Sequence, residues 1–104
     1  MHPLHGKWKI VAHTSFGGLP SVNEIVVQGD RFEGVMHDEK SGKSYDIVNG
    51  QIDGNRFTLE TSMSFVVFTI EVNLEGFLSE DGKKIHGTLT AMSKTGNFEG
   101  EKIE

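Results

Sequence analysis

The stretch "SFVVFTIEVNLEGFL", residues 64–78, decides the fold. Val66, Phe68, Ile70, Val72, Leu74 and Gly76 alternate with Thr69, Glu71, Asn73 and Glu75. A period of two puts the first set on one face and the second on the other, as in a strand with one side buried and one side wet. At about 3.3 Å per residue a strand of this length spans most of a small domain, so it is expected to bend. The chain has no apolar stripe at spacings of three and four, and no substantial helix is expected.

The same period extends to both sides. Residues 6–13 alternate Trp8, Ile10 and Ala12 with Lys7 and Lys9. "VNEIVVQ" (22–28) places Ile25 and Val27 on one face, Gly29-Asp30 turns the chain, and "RFEGVMHD" (31–38) aligns Phe32, Gly34 and Met36, which predicts a hairpin. "EKSGK" and "DGN" bracket "SYDIVNGQI" (44–52), followed by "RFTLET" (56–61) with Phe57 and Leu59 together. Beyond residue 78, "SEDGK" leads into "KIHGTLTAM" (84–92), and "SKTGN" leads into "FEGEKI" (98–103). The turn chemistry is clear at "EKSGK" and "DGN".

Eight sequential strands either expose two edges or close on themselves, and closure removes the edges. The expected fold is therefore all-β, a single eight-stranded antiparallel up-and-down β-barrel over residues 1–104, with a two-sheet β-sandwich as the alternative. Two echoes support the count. "GDRFEG" (29–34) returns in outline as "NLEG" (73–76), "GKKIHG" (82–87) and "GNFEG" (96–100), and "HTSFGG" (13–18) as "ETSMSF" (60–65), as two four-strand halves would give. Gly34, Gly76, Gly87 and Gly100 fall on the inward parity, where each either opens the lumen or lets its strand coil.

Composition bounds the function. With 15 acidic against 10 basic residues and no basic stripe, a nucleic-acid interface is not expected. There is no cysteine for a disulfide or thiolate site. No apolar run approaches the ~18 residues of a membrane span or makes a signal peptide, so a soluble, cytoplasmic protein without membrane contact is the simplest reading. No Gly-x-Ser-x-Gly, P-loop or dinucleotide fingerprint is present, and no cofactor is expected. By parity His13, His37 and His86 face solvent, while His2 and His5 precede the first strand, so no metal site is expected. Glu33, Glu60, Glu71, Glu75 and Glu99 face outward near Lys9, Lys84 and Lys102, as in a solvated face with cross-strand ion pairs.

Gly6-Lys7-Trp8, a Gly-x-Trp opening the first strand of an eight-strand meander, resembles the start of calycin-type barrels such as lipocalins and avidins, whose tryptophan plugs the closed end. Nearly the whole chain resembles a group of small bacterial barrel domains. The likeness is carried by Gly6, Trp8, Thr14, Gly17, Gly29-Asp30, Gly34, Gly50, Gly54-Asn55, Gly87 and Gly100. The second loop, "TSMS", has serine where that pattern has glycine. The resemblance implies a fold and carries no catalytic residues, and the biotin-facing tryptophans of avidins have no counterparts after Trp8.

The expected inward set is Trp8, Ile10, Ile25, Val27, Phe32, Met36, Phe57, Leu59, Phe68, Ile70, Ile85 and Leu89. An eight-stranded barrel either fills with such side chains or holds one small ligand. "SFGGLPS" (15–21) reads as a loop with apolar tips Phe16 and Leu19, which acts as a lid, a docking knob or a plug. Tyr45 and Asn49 share a face with Ile47, while Asp46, Val48, Gly50 and Ile52 form the other, and either face is the inner one. The leading functional reading is non-enzymatic binding of a small apolar or amphipathic ligand by Trp8, Phe16, Leu19, Phe32, Met36, Tyr45, Phe57 and Phe68. The alternatives are a protein-interaction module using outer Val11, Val26, Val35, Phe65 and Phe77, or a lumen-templated isomerase, lyase or cyclase with Tyr45 as its acid. A monomer or a homodimer paired through the last strand is consistent with the sequence.

Overall fold

A computed structural model describes residues 2–14, 17–64, 67 and 69–104. Eight antiparallel strands close into one up-and-down barrel in sequence order: β1 (Gly6–Thr14), β2 (Gly17–Gln28), β3 (Arg31–Asp38), β4 (Ser44–Asp53), β5 (Arg56–Ser64), β6 (Thr69–Leu78), β7 (Lys84–Ala91) and β8 (Lys94–Lys102). β1 pairs with β8 from Trp8 opposite Lys102 to His13 opposite Asn97, so the sandwich alternative is excluded. Over Asn97–Glu101 β8 is paired on both sides, with β1 and with β7. The described residues contain no helix, hence none long and apolar enough to cross a membrane.

Three boundaries differ from the sequence reading. Gly17–Ser21 belongs to β2 rather than to a loop: Gly18, Leu19 and Pro20 stand opposite His13, Ala12 and Val11 of β1. The β2–β3 ladder begins at Ser21, and just beyond it the Glu39 N–H donates to the Pro20 carbonyl at 3.1 Å, so the proline sits at the end of that ladder, where its missing N–H is tolerated. The long alternation is also divided: Ser64 ends β5 and Thr69 begins β6. "SKTGN" is not a turn, because β8 starts at Lys94 and the turn is Met92-Ser93.

That turn has φ of 51° at Met92 and 66° at Ser93, the left-handed pair that a two-residue hairpin requires and that Asn-Gly satisfies best. Met92→Asn with Ser93→Gly is expected to raise stability by about 1–2 kcal/mol. Urea denaturation followed by circular dichroism checks it, and an unchanged midpoint would contradict the strain.

β4 resolves its two candidate faces by using both. Asn49 has φ of 53°, and the pairing with β3 and with β5 slips around it, a bulge. Before the slip Tyr45 and Ile47 stand opposite Met36 and Gly34, and after it Gly50 stands opposite Phe32. Ile47 and Gly50 are buried, whereas Asn49 is exposed and donates to the Glu60 carboxylate.

The inward glycines permit close approach. A Cβ on Gly34 would lie 2.0 Å from the Glu24 carbonyl oxygen, and one on Gly87 would lie 2.0 Å from that of Glu75. On Gly76 it would meet the rings of Phe57 and Phe98 at 2.4 and 2.8 Å. The volume these glycines leave is taken by backbone or by phenyl rings.

One end of the barrel is sealed. Leu4 and Trp8 are both 0% exposed, and the indole Nε1 donates to the Leu4 carbonyl at 2.8 Å. The segment before β1 is tied across this end by imidazoles. His5 Nδ1 accepts from the Val27 amide and His2 Nε2 meets the Gly54 carbonyl at 3.1 Å, while His2 Nδ1 accepts from the Leu4 amide within the segment. The residues after β8 add Ile103 N–H donating to the Lys7 carbonyl and Lys7 N–H donating to that of Glu104, each at 2.9 Å. Above the tryptophan lies a phenylalanine layer, Phe32 edge-on to Phe57 at 6.3 Å and Phe57 to Phe98 at 6.4 Å between centroids.

Candidate functional site

Above the phenylalanine layer the described residues leave the lumen unfilled. A cavity of about 540 Å³ occupies the upper lumen. The expectation of a filled core thus applies to the lower half and that of a ligand-sized cavity to the upper. Phe57, Phe98, Ile25 and Ile85 line its lower part, Ile10, Ile47, Leu59, Ile70, Val72, Leu74 and Leu89 its walls, and Ala12, Met36, Met63, Ala91 and Met92 its upper wall and mouth. Three methionines near an opening make a soft rim that adapts to shape.

Two strand extensions border the mouth, that of β1 with β2 and that of β5 with β6. Beyond β4, residues Ser62, Met63 and Ser64 of β5 pair only with Glu71, Ile70 and Thr69 of β6. This extension and that of β1 with β2 are four strands apart around an eight-stranded ring, hence on opposite sides of the opening. Leu19 lines the cavity from one and Met63 and Ile70 from the other.

Of the sequence-predicted ligand residues, Leu19, Met36 and Phe57 line the cavity. Trp8 and Phe32 lie beneath it in the sealed end, buried and off its wall. Tyr45 shares a face with Met36 and is half-buried, yet it is not on the cavity wall. Phe16 and Phe68 lie outside the described residues, as does Phe65 of the outer set. Among the described residues the titratable groups on the wall are Asp38 and Lys94, both at the mouth. The Asp38 carboxylate accepts from the Lys40 amide and the Ser41 hydroxyl, and so shapes its own turn.

The sequence reading missed the polar part of the wall. Ser21, Asn23 and Thr61 are buried at 6%, 2% and 2% exposure, and all three line the cavity. Parity carried the signal: Ser21 and Asn23 are in phase with Ile25 and Val27, and Thr61 with Phe57 and Leu59. Thr61 Oγ1 donates to the Asp46 carbonyl at 2.9 Å, and Asn23 Nδ2 donates to Ser21 Oγ at 2.9 Å.

The outer wall is polar. The ladder sets Val26 opposite Glu33, Val35 opposite Glu24 and Asp46, Val48 opposite Glu60 and Val11 opposite Glu99, so these apolar side chains are interleaved with carboxylates. Phe77 is paired with His86, ring centroids 6.0 Å apart. His13 contacts Glu99, and His37 bridges Glu24 and Ser44. The His37 hydrogen bond holds the Glu24 carboxyl below its ordinary range, and the Ser79 hydroxyl does the same for Asp81 in the β6–β7 turn. Other surface pairs join Lys7 to Glu104, Lys9 to Glu39 and Arg56 to Glu75. Among the described residues no three His, Asp or Glu side chains come together to hold a metal ion.

No family model matches the chain, and no curated protein matches it. Among solved structures it is similar to a redesigned beta barrel, mFAP1, bound to DFHBI, with a TM-score of 0.69. That match is at 9% identity over 97% of this chain and 95% of the other, a likeness of fold.

Proposed function

We propose that the protein binds a small apolar or amphipathic molecule in its upper lumen, without catalysing a reaction, in a calycin-like arrangement with one sealed and one open end. The observation that carries this reading is the cavity of about 540 Å³ with an apolar wall. Ligand pockets typically measure roughly 300–1,000 Å³, are largely apolar and carry a few placed polar groups. The redesigned barrel, of similar fold, is bound to a small molecule, which supports the same use of the lumen here. A protein-interaction role has less support, since carboxylates interrupt the outer valines that would form its patch. An isomerase, lyase or cyclase role has less support too, because Tyr45 is not on the cavity wall.

The test is titration with 2-methylnaphthalene followed by the probe's own fluorescence. Ala91 lines the cavity, so Ala91→Trp is expected to fill the mouth and weaken binding by at least about tenfold. Val26→Trp on the outer wall is expected to leave binding unchanged. Equal binding by wild type and Ala91→Trp would place the probe elsewhere and remove the proposal.

A further inference from the structure

We infer that the molecule the lumen accepts is neutral, largely apolar and carries one hydroxyl group, an alcohol or a phenol, recognised by Asn23 and Ser21. The inference rests on the reading of the lumen as the binding site. Asn23 is 2% exposed and lines the cavity between Trp8 of β1 and Met36 of β3, its ladder partners. Its Nδ2 is committed to Ser21 Oγ, whereas no described residue donates a hydrogen bond to its Oδ1. No buried side-chain nitrogen or oxygen among the described residues is both sealed off and unpaired. The free end of the amide therefore faces the open lumen.

The arrangement has a chemical consequence. A purely hydrocarbon ligand filling the cavity would strand that amide end, at a cost of about 1–3 kcal/mol. A ligand hydroxyl both donates and accepts. It can donate to Asn23 Oδ1 while accepting from Ser21 Oγ, and it meets the amide equally well if the amide is turned end for end. The neighbouring wall favours a neutral group. The partners of Asn23 carry no charge, and the Asp38 carboxylate at the mouth already accepts from Lys40 and Ser41. Thr61, the other buried polar residue in the lumen, has its hydroxyl donating to the backbone of β4, so hydrogen-bonding capacity is left on the β2 side. The rest of β2 shows what packing alone would select, since Ile25 and Val27 follow Asn23 on the same face.

Two probes of nearly equal shape separate this inference from the one beneath it. 2-Naphthol and 2-methylnaphthalene differ by a hydroxyl in place of a methyl. Their dissociation constants are measured for wild type, Asn23→Leu and Ser21→Ala. In Asn23→Leu the ratio of 2-naphthol to 2-methylnaphthalene affinity is expected to fall about three- to tenfold, the worth of one hydrogen bond. Binding of 2-methylnaphthalene is expected to hold or tighten. If Asn23→Leu does not fold, a fall of the same sign in Ser21→Ala supports the inference. An unchanged ratio in the folded variants, with both probes bound, overturns the hydroxyl site and leaves the lumen reading standing. Failure of both probes to bind wild type overturns the two together.

Discussion

Trp8→Ala is expected to lower the stability of the barrel by about 3–5 kcal/mol, a large share of the roughly 5–15 kcal/mol available to a domain of this size. Trp8 is fully buried, donates to the Leu4 carbonyl at 2.8 Å and lies with its ring centroid 5.6 Å from Lys102 Nζ. Alanine leaves a void at the sealed end, removes the surface on which Leu4 rests and leaves a buried carbonyl without its donor. Trp8→Phe restores most of the volume without the N–H, and is expected to cost about 1–3 kcal/mol. Since Trp8 is the only tryptophan, urea unfolding of both variants is followed by far-ultraviolet circular dichroism rather than by fluorescence. A Trp8→Ala midpoint close to that of wild type would show that the indole is not what closes this end.

Gly34→Ala is the second large effect, an expected loss of about 2–4 kcal/mol from overpacking and from hydrogen bonds pulled apart between β2 and β3. The added carbon would lie 2.0 Å from the Glu24 carbonyl oxygen and 3.2 Å from the Ile25 Cα, both backbone, so no side-chain rotation relieves it. Gly29→Ala is the comparison. Gly29 has φ of 66° with no atom within 4 Å of an added Cβ, so the change meets only conformational strain of about 1–2 kcal/mol. Denaturation midpoints for the pair decide the matter: an effect at Gly34 no larger than at Gly29 would remove close approach as the reason for the glycine.

Most of this architecture was legible because the side-chain period of a strand survives in a list of residues. Phe57 and Leu59, or Val72 and Leu74, need no partner to declare which face they share, and a meander with short turns leaves few ways to close. The errors fall where a residue's local preference opposes its tertiary setting. Gly17, Gly18 and Pro20 have loop chemistry, yet they form a strand because β1 supplies a partner to each, and the β2–β3 ladder begins only at Ser21. Met92-Ser93 has no turn chemistry, yet it turns because β7 and β8 are in register on either side of it. At Asn49 a single extra residue reverses the faces of β4, and periodicity has no means of marking a bulge.

The candidate site was less legible, and for a different reason. Parity places a side chain inside or outside but gives no depth along the barrel axis. Trp8 and Phe32 were rightly inward and yet lie below the open space, as parts of the sealed end. Attention to large apolar residues also passed over Asn23 and Ser21, whose inward phase was visible in "SVNEIVV". An amide at a core position is the more informative observation, because burying it unpaired is costly and the sequence retains it against an apolar pattern.

The seam between β1 and β8 bears on the order of assembly. Seven of the eight pairings join strands consecutive in the chain and close only short loops. The eighth brings the first strand to the last and closes the whole meander, the most demanding contact in chain entropy and the slowest kind to find. Trp8 is carried by one strand of that seam, opposite Lys102 on the other. Closing the ribbon into a cylinder thus joins the strand that carries the stopper of the sealed end to the last strand, and a lumen exists only in the closed form.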